Sequence, residues 1–355
     1  MTALRLHDSS LSIYFITGAM GNLLTKMFIS SIIPAFSISG FSQSCCSGGV
    51  PISNNLGLPV SAAKTIQFSV SYDLNILNTL KEGNKRLNDD ARRRLTHSVL
   101  FQSGYVINKK WSIELFLSYI RQERIINQFS NTSKTTAEGV GDAVMLVKYK
   151  LIPGDSKRVN WKRVNWLIGA GPKIPSGSSD KKDKNDIALN ADLQPGSGAW
   201  DVITWTQVLK NFKARPSLTW SVTASYSIKG KNNNYLGSQV YQFGNELVVI
   251  GGIADQFLTG TFLWGASLQT IFRYAYQDEN NGEKTPGTGG RWIFIRPGFT
   301  IKPGKSSAIN ISASLPAYSW LQDTQLTPTA RYNAGFYFEI ANKKSFQNIF
   351  KAVIL

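Results

Sequence analysis

The chain has 355 residues, of which 42% are hydrophobic and 12% aromatic but only 17% charged. That charged share lies well below the ~25% of an average soluble domain and excludes a disordered, fully solvated chain. Lys and Arg outnumber Asp and Glu by 39 to 22, a formal charge of +17, so nucleic acid, anionic lipid and acidic solutes must be weighed by where the cations fall. Two adjacent cysteines, Cys45 and Cys46, and two histidines, His7 and His97, leave no disulfide framework, no spaced-cysteine zinc site and no histidine-rich metal site.

No run of about 18 or more apolar residues occurs, so no spanning helix is expected. The stretch Met27 to Phe41 follows Lys26, is broken by Pro34 and gives way to Ser42-Gln43-Ser44, with small residues where a signal peptidase reads. Residues 1–44 are therefore expected to be an N-terminal extension and signal peptide. Met20 is the expected start of translation, and the mature chain is expected to begin near Cys45. A lipid acceptor at Cys45 is the competing reading, but Ser42 stands where such sites carry Leu, and ordinary cleavage is favoured. Residues 45–63, with Gly48, Gly49, Pro51 and Pro59, read as a periplasmic strap or a plug.

From Lys64 onward the dominant signal is period-two alternation. It places strands at 64–77, 95–107, 111–123, 140–151, 163–175, 198–210, 217–229, 239–251, 262–276, 291–302, 306–318 and 329–340. The clearest is Leu218, Trp220, Val222, Ala224, Tyr226 and Ile228 alternating with hydroxyl residues from Ser217 to Ser227. Strands of ten to fifteen residues suit a tilted bilayer crossing. Connections alternate as well. Those at 78–94, 124–139, 176–197, 230–238 and 277–290 are long and polar, whereas Asn108-Lys109-Lys110 and Pro303-Gly304-Lys305 are tight; 152–162 and 252–261 break this parity by being long. The tandem Arg-Val-Asn-Trp at 158–161 and 163–166 reads as a local duplication in the first of these. The expected fold is all-β: a transmembrane antiparallel up-and-down β-barrel of about 12 strands over 64–340, with 341–355 as a C-terminal tail. Twelve strands ~4.8 Å apart and tilted ~40° would close into a cylinder roughly 24 Å across.

Gly139-Val140-Gly141-Asp142 opens a strand that reaches Lys148-Tyr149-Lys150, Pro172-Lys173-Ile174-Pro175-Ser176-Gly177 closes the next, and Pro195-Gly196-Ser197-Gly198-Ala199-Trp200-Asp201 opens the one after. With these motifs the chain resembles outer-membrane barrels of the phenol-degradation meta-pathway family. The starts Cys45-Cys46-Ser47-Gly48-Gly49-Val50-Pro51 and Asn55-Leu56-Gly57-Leu58-Pro59 are similar to barrels of Bacteroidetes-type bacteria. The resemblance spans residues 45 to 340. It implies an outer-membrane channel or facilitator for small hydrophobic or aromatic solutes, with no catalysis and no cofactor. The tail from Asn342 to Leu355 departs from barrels that end at an aromatic in the last strand.

Physically, glycines at these strand entries let the chain twist at a rim, and Asp142 and Asp201 fall on the polar face or cap a turn. No phosphate-loop pattern is present, so nucleotide binding is excluded as a reading. His97 would have to serve any barrel hydrolase, but Ser98 beside it points to the opposite face of the strand. Cations cluster in connections (Lys81, Lys85, Arg86, Arg92, Arg93, Arg94; Lys181, Lys182, Lys184; Lys229, Lys231) without an aromatic platform for bases. The expected partners are therefore outer-membrane lipid, a small-molecule solute and the barrel-assembly machinery, and not nucleic acid. The charges Asp142, Lys148, Lys150, Lys173, Glu246, Arg273, Arg296, Arg331 and Glu339 fall on polar strand faces and are the candidate lumen-lining residues, since Arg or Lys in lipid at mid-depth costs ~2–4 kcal/mol. Ion pairs that fill and rigidify the interior are expected of them first, a selective anion path second. A structural or adhesive barrel with a filled lumen and partner-binding loops is the alternative function.

Overall fold

The computed structural model describes residue 58 and residues 63–128, 131–152, 164–304 and 306–341. The readings of an export signal, of Cys45, of the C-terminal tail and of all but the end of the strap lie outside these residues. Within them the chain is almost wholly extended: β1 (Thr65–Gly83), β2 (Lys85–Leu87), β3 (Arg92–Val106), β4 (Trp111–Gln128), β5 (Asn131–Val140), β6 (Ala143–Ile152), β7 (Val164–Ile174), β8 (Asp201–Asn211) and β9 (Thr219–Ile228). There follow β10 (Lys231–Tyr235), β11 (Gln239–Gln242), β12 (Glu246–Thr259), β13 (Phe262–Ala275), β14 (Glu279–Asn280), β15 (Glu283–Lys284), β16 (Gly290–Lys302) and β17 (Ser307–Ala341). Among the described residues the only helical element is a 3-10 turn at Ala191–Leu193, and no helix is long and apolar enough to cross a membrane.

Antiparallel ladders run from β1 through β3, β4, β6, β7, β8, β9, β12, β13 and β16 to β17, and β17 pairs back onto β1 from Thr65↔Ala341 to Gly83↔Leu321. The sheet is closed. β17 supplies two staves of the wall: Ile309 to Leu321 pair with β16, Leu321 to Ala341 pair with β1, and the chain reverses at Asp323, whose φ is 60°. The two arms lie side by side, since the Glu339 N–H donates to the Ser306 carbonyl at 2.8 Å and a Cβ on Gly335 would sit 2.9 Å from the Asn310 side-chain oxygen. β5 and β6 form one stave interrupted at Gly141-Asp142, because β4 pairs with β6 below that point and with β5 above it. The wall therefore has twelve staves, with an all-antiparallel, up-and-down path.

Burial runs opposite to that of a soluble sheet. On β9 the hydroxyls Thr223, Ser225 and Ser227 are buried, while Trp220 and Ile228 on the other face are exposed. On β4, Glu114 and Ser118 are buried, and Trp111, Ile113, Leu117 and Tyr119 are exposed. Apolar side chains at every second position with no protein over them require an apolar surrounding, which a bilayer supplies. Aromatic residues mark both limits of this band, with Trp200 and Tyr276 towards one rim and Trp220, Phe257 and Phe262 towards the other.

Three expectations are corrected in detail. Residues 124–139 are a tall hairpin of β4 and β5, and most of 78–94 is strand. Both stretches are mostly polar, with Leu80, Leu87, Ile125 and Ile126 too scattered to form an alternation, yet their backbone pairs beyond the apolar band. The strand expected at 239–251 is two elements: Gln239–Gln242 belongs to a separate four-stranded sheet with β10, β14 and β15, and the wall strand starts at Glu246. The connection 252–261 is not long, because β12 continues to Thr259 and leaves Gly260-Thr261 as the turn, with Gly260 at φ 63°. The second departure from parity, 152–162, lies outside the described residues beyond Ile152.

Candidate functional site

The three glycine-bearing motifs, far apart in sequence, meet at one point inside the wall. Asp142 follows the break between β5 and β6, Lys173 sits near the end of β7, and Ser197 and Asp201 lie at the entry to β8. Lys173 Nζ is 2.8 Å from Asp142 Oδ2 and 3.0 Å from Asp201 Oδ2, and it also donates to Ser197 Oγ. Asp142 accepts from the Ser197 N–H at 2.9 Å, the Ser197 hydroxyl at 2.7 Å and the Gly177 N–H at 3.1 Å. Lys229 Nζ extends the chain of charges, 3.3 Å from Asp201 Oδ2. All five side chains are buried. A buried cation between two carboxylates is tolerable because Asp142 takes these three further hydrogen bonds and Asp201 Oδ1 accepts from the Gly230 N–H at 3.1 Å. The glycines matter here sterically: a Cβ on Gly196 would lie 2.4 Å from the Gly177 carbonyl carbon, so the two segments touch backbone to backbone.

This network fastens the loop 175–200, which turns into the barrel. Ala191 to Ser197 are buried. On the far side the loop is held by β3 and β4: Arg94 Nη1 donates to Asp192 Oδ2 at 2.7 Å, Arg94 also donates to the Asp192 carbonyl and to Gln122 Oε1, and Leu193 packs with Ala137 and Leu189. Above it lies the four-stranded sheet, where Tyr235 OH accepts from the Ala191 N–H at 3.0 Å and Tyr235, Tyr241 and Phe243 pack on Ala191. Asp278 closes this sheet by accepting from Tyr241 OH at 2.7 Å and the Gly244 N–H at 2.8 Å. Burial pushes its carboxyl up to about 6, partly opposed by those two hydrogen bonds. Burial likewise raises the Tyr235 phenol. The rim bearing the long connections is thus covered from within.

Below the loop the inner wall carries two apolar clusters. One joins Phe116, Val144, Leu146, Leu167, Ile203 and Trp205, and the other joins Val248, Ile250, Ile271, Ala275, Trp292, Phe294 and Leu321. Each surrounds one ion pair stacked on a tryptophan. Lys148 Nζ is 2.7 Å from Glu114 Oε2 and 3.9 Å from the Trp205 ring centre; Arg273 Nε is 2.5 Å from Glu246 Oε1 with its guanidinium 4.7 Å from the Trp292 ring. The aromatic face adds attraction to a desolvated cation.

Towards the rim of short turns the lumen opens into a cavity of about 940 Å³, bordered by Ser71, Gln207, Arg296, Asn310, Asn333 and Glu339 among others. Leu58 enters it. Its N–H lies 3.4 Å from both Glu114 carboxylate oxygens, and Gly104 makes room, since a Cβ there would sit 2.6 Å from Leu58 Cδ1.

The nine candidate residues separate into groups. Asp142 and Lys173 belong to the loop network, Lys148 to the first cluster, and Glu246 and Arg273 to the second. Arg331 pairs with Asp73 at 2.8 Å and Arg296 rests on Gln269, both in the lower wall. Glu339 accepts from Tyr337 OH at 2.8 Å. Lys150 is half-buried and borders a 30 Å³ space shared with Lys148, Glu114, Trp205 and Leu58. Sequence reasoning missed Arg94, Asp192, Glu114 and both inner tryptophans. Glu114 and Trp292 each stand at the polar parity of a recognised strand, a signal available but unused, whereas Trp205 shares its parity with Ile203 and Leu209 and gave none. His97 faces outward, its Nδ1 2.6 Å from Tyr72 OH, while Ser98 is buried on the inner face.

No protein-family profile matches the chain, and no curated protein matches it by sequence. Among solved structures it is similar to the COG4313 outer-membrane channel from Pseudomonas putida F1, with a TM-score of 0.59 at 9% identity, covering 80% of this chain and 97% of that one. It also aligns with the β-domain of the Bordetella autotransporter BrkA (TM-score 0.41, 9% identity, 78% and 100% covered) and with the monoaromatic hydrocarbon channel CymD (TM-score 0.36, 7% identity, 79% and 89% covered). At such identity the first likeness establishes the fold: this is an outer-membrane-type β-barrel.

Proposed function

We propose that the protein is an outer-membrane channel for small solutes, exported by its N-terminal signal and inserted by the barrel-assembly machinery. The observation that carries this reading is the 940 Å³ cavity, with amide, hydroxyl and apolar side chains in its lining, inside a closed wall that also carries a continuous apolar face outward. A barrel serving only as an anchor has no need of a vestibule of that size. Cations in the connections, Lys85, Arg86, Lys181 and Lys182 among them, would meet anionic lipid headgroups at the surface. Hydrophobic or aromatic cargo is the finer reading supported by the motif resemblance to phenol-degradation meta-pathway barrels, and a channel is what the P. putida neighbour is named for. The nine lumen candidates serve this function in two ways: Arg296 and Glu339 border the open part, and Asp142, Lys148, Lys173, Glu246, Arg273 and Arg331 hold the wall through ion pairs, with Lys150 beside the small space at Lys148.

One observation favours the alternative of a filled structural or adhesive barrel. The loop 175–200 and the second cluster occupy the half of the lumen nearer the long connections. Conductance of the full chain in planar bilayers separates the two. Reproducible open steps are expected for the channel, and silence across the voltage range, in a protein that still migrates faster unboiled than boiled, would decide for the filled barrel.

A further inference from the structure

The vestibule discriminates by charge in a way the whole chain does not. The protein carries +17, yet the described residues that border the vestibule include two acidic and two basic side chains, Asp255 and Glu339 against Arg296 and Lys302, which cancel. Three of the four are already engaged. Asp255 is 2.5 Å from the Arg215 guanidinium, Arg296 donates twice to Gln269 Oε1 at 2.8 and 2.5 Å, and Glu339 accepts from Tyr337. The field that +17 would project into a lumen is therefore absent where a solute would sit.

Amides and hydroxyls make up most of the rest of the polar lining. Asn165, Gln207, Ser221, Ser267, Asn310 and Asn333 all border the space, and each of these groups both donates and accepts hydrogen bonds. Two inward glycines let the neighbouring polar groups lean across the wall: a Cβ on Gly298 would lie 2.7 Å from Ser267 Oγ, and one on Gly335 would lie 2.9 Å from the Asn310 side-chain oxygen. Apolar side chains share the lining, Leu209, Leu263, Trp264 and Phe299 among them, whereas Trp205 and Trp292 do not border it, each ring being stacked under its cation inside a wall cluster.

Resting on the channel reading above, we propose that the vestibule takes uncharged hydroxylated solutes of mono- or disaccharide size in preference to ions. A hydroxyl-rich solute exchanges its water hydrogen bonds for wall hydrogen bonds one for one. An ion would trade its hydration shell for neutral dipoles and apolar side chains. The volume falls within the ~300–1,000 Å³ of small-molecule sites.

The test uses the full chain in proteoliposomes. Swelling rates are compared in isosmotic glucose, sucrose, sodium gluconate and glucosamine hydrochloride, and the reversal potential is read in a tenfold KCl gradient. Glucose several-fold faster than gluconate and glucosamine, with a reversal potential near zero, is the expected result. Asn310→Asp or Ser71→Asp, each placing one carboxylate on the vestibule wall, should turn the channel cation-preferring. If ions pass as readily as glucose, or the unaltered protein is strongly anion-selective, the channel stands and the cargo class is overturned. If no solute moves through the wild type or through an Arg94→Ala/Asp192→Ala variant that frees the inner loop and keeps its heat-modifiable band, the channel reading fails and this inference falls with it.

Discussion

The two apolar clusters of the inner wall solve one problem with different completeness. Both seat a carboxylate and a cation on an indole face, Glu114 with Lys148 on Trp205 and Glu246 with Arg273 on Trp292. In the second, the Trp292 N–H donates to Thr327 Oγ1 at 2.9 Å and Leu321 seals the cluster from the closing hairpin. In the first, the Trp205 N–H has no acceptor among the described residues, and the pair borders the small space into which Leu58 projects. A barrel twelve staves wide cannot be filled with ions alone, since each desolvated charge costs several kcal/mol. Aliphatic packing around a paired charge fills the volume while the pair stays satisfied. The difference teaches that one side of the wall is sealed as a core and the other keeps a small space and an unpartnered indole N–H beside its ion pair.

The comparison can be broken hardest outside the clusters, at the loop network. Lys173→Met leaves Asp142 and Asp201 facing each other while buried, and the heat-modifiable band in detergent extracts should be lost. A variant that keeps that band at wild-type yield would show the network to be dispensable. Within the clusters, Arg273→Leu strands Glu246 and should cost on the order of 3–5 kcal/mol in urea unfolding from lipid. Lys148→Met should cost about half of that, because Glu114 keeps Gln102 Nε2 at 3.3 Å and the Leu58 N–H. Equal losses would mean that these weaker donors contribute nothing.

A finer contrast comes from removing only the indole N–H. Trp292→Phe should lose about 1 kcal/mol with its hydrogen bond to Thr327, whereas Trp205→Phe should be neutral or slightly stabilising, since it removes a buried donor that lacks a protein acceptor. Thermal melts of the two variants in one detergent would rank them. The smallest effect expected is at the covered rim. Because the Asp278 carboxyl is raised from 3.8 to about 6, the folded rim holds its proton more tightly than the unfolded chain does. Its contribution is therefore full below about pH 3.8 and lost as pH rises through about 6. Amide exchange at Gly244 and Thr285 should be faster at pH 7.5 than at pH 5 after correction for intrinsic rates, and Asp278→Asn should flatten that dependence.

Most of the wall was legible in the sequence because a two-solvent strand writes its period plainly, as β9 does with its hydroxyls on one parity and its aromatics on the other. What escaped had no period to read. Val144 to Val147 and Val248 to Ile250 are apolar on both parities, so alternation could not reveal that Val144, Leu146, Val248 and Ile250 face inward and form cores. The hairpin of β4 and β5 is mostly polar where it rises clear of the apolar band, and its adjacent Ile125 and Ile126 fall on opposite parities. The glycine motifs read as rim twists, and Asp142, Lys173 and Asp201 sat in plain view. Their convergence depends on three staves lying side by side, which no local pattern encodes. Arg94 and Asp192 are still more remote, joined only because the loop crosses the lumen.

The seam between β1 and β17 bears on how this wall comes to exist. Every other ladder of the wall joins staves that follow one another along the chain, so each can form as soon as its second stave is available. Thr65↔Ala341 joins the two ends of the barrel, carries the largest loop-closure entropy, and is slow to form for that reason. Until it forms, both terminal strands present open edges able to pair with another chain. Assembly is thus committed only at the final hairpin. The two arms that turn at Asp323 act as the clasp of the cylinder, and a chain synthesised up to Lys302 would have most of its wall and no barrel.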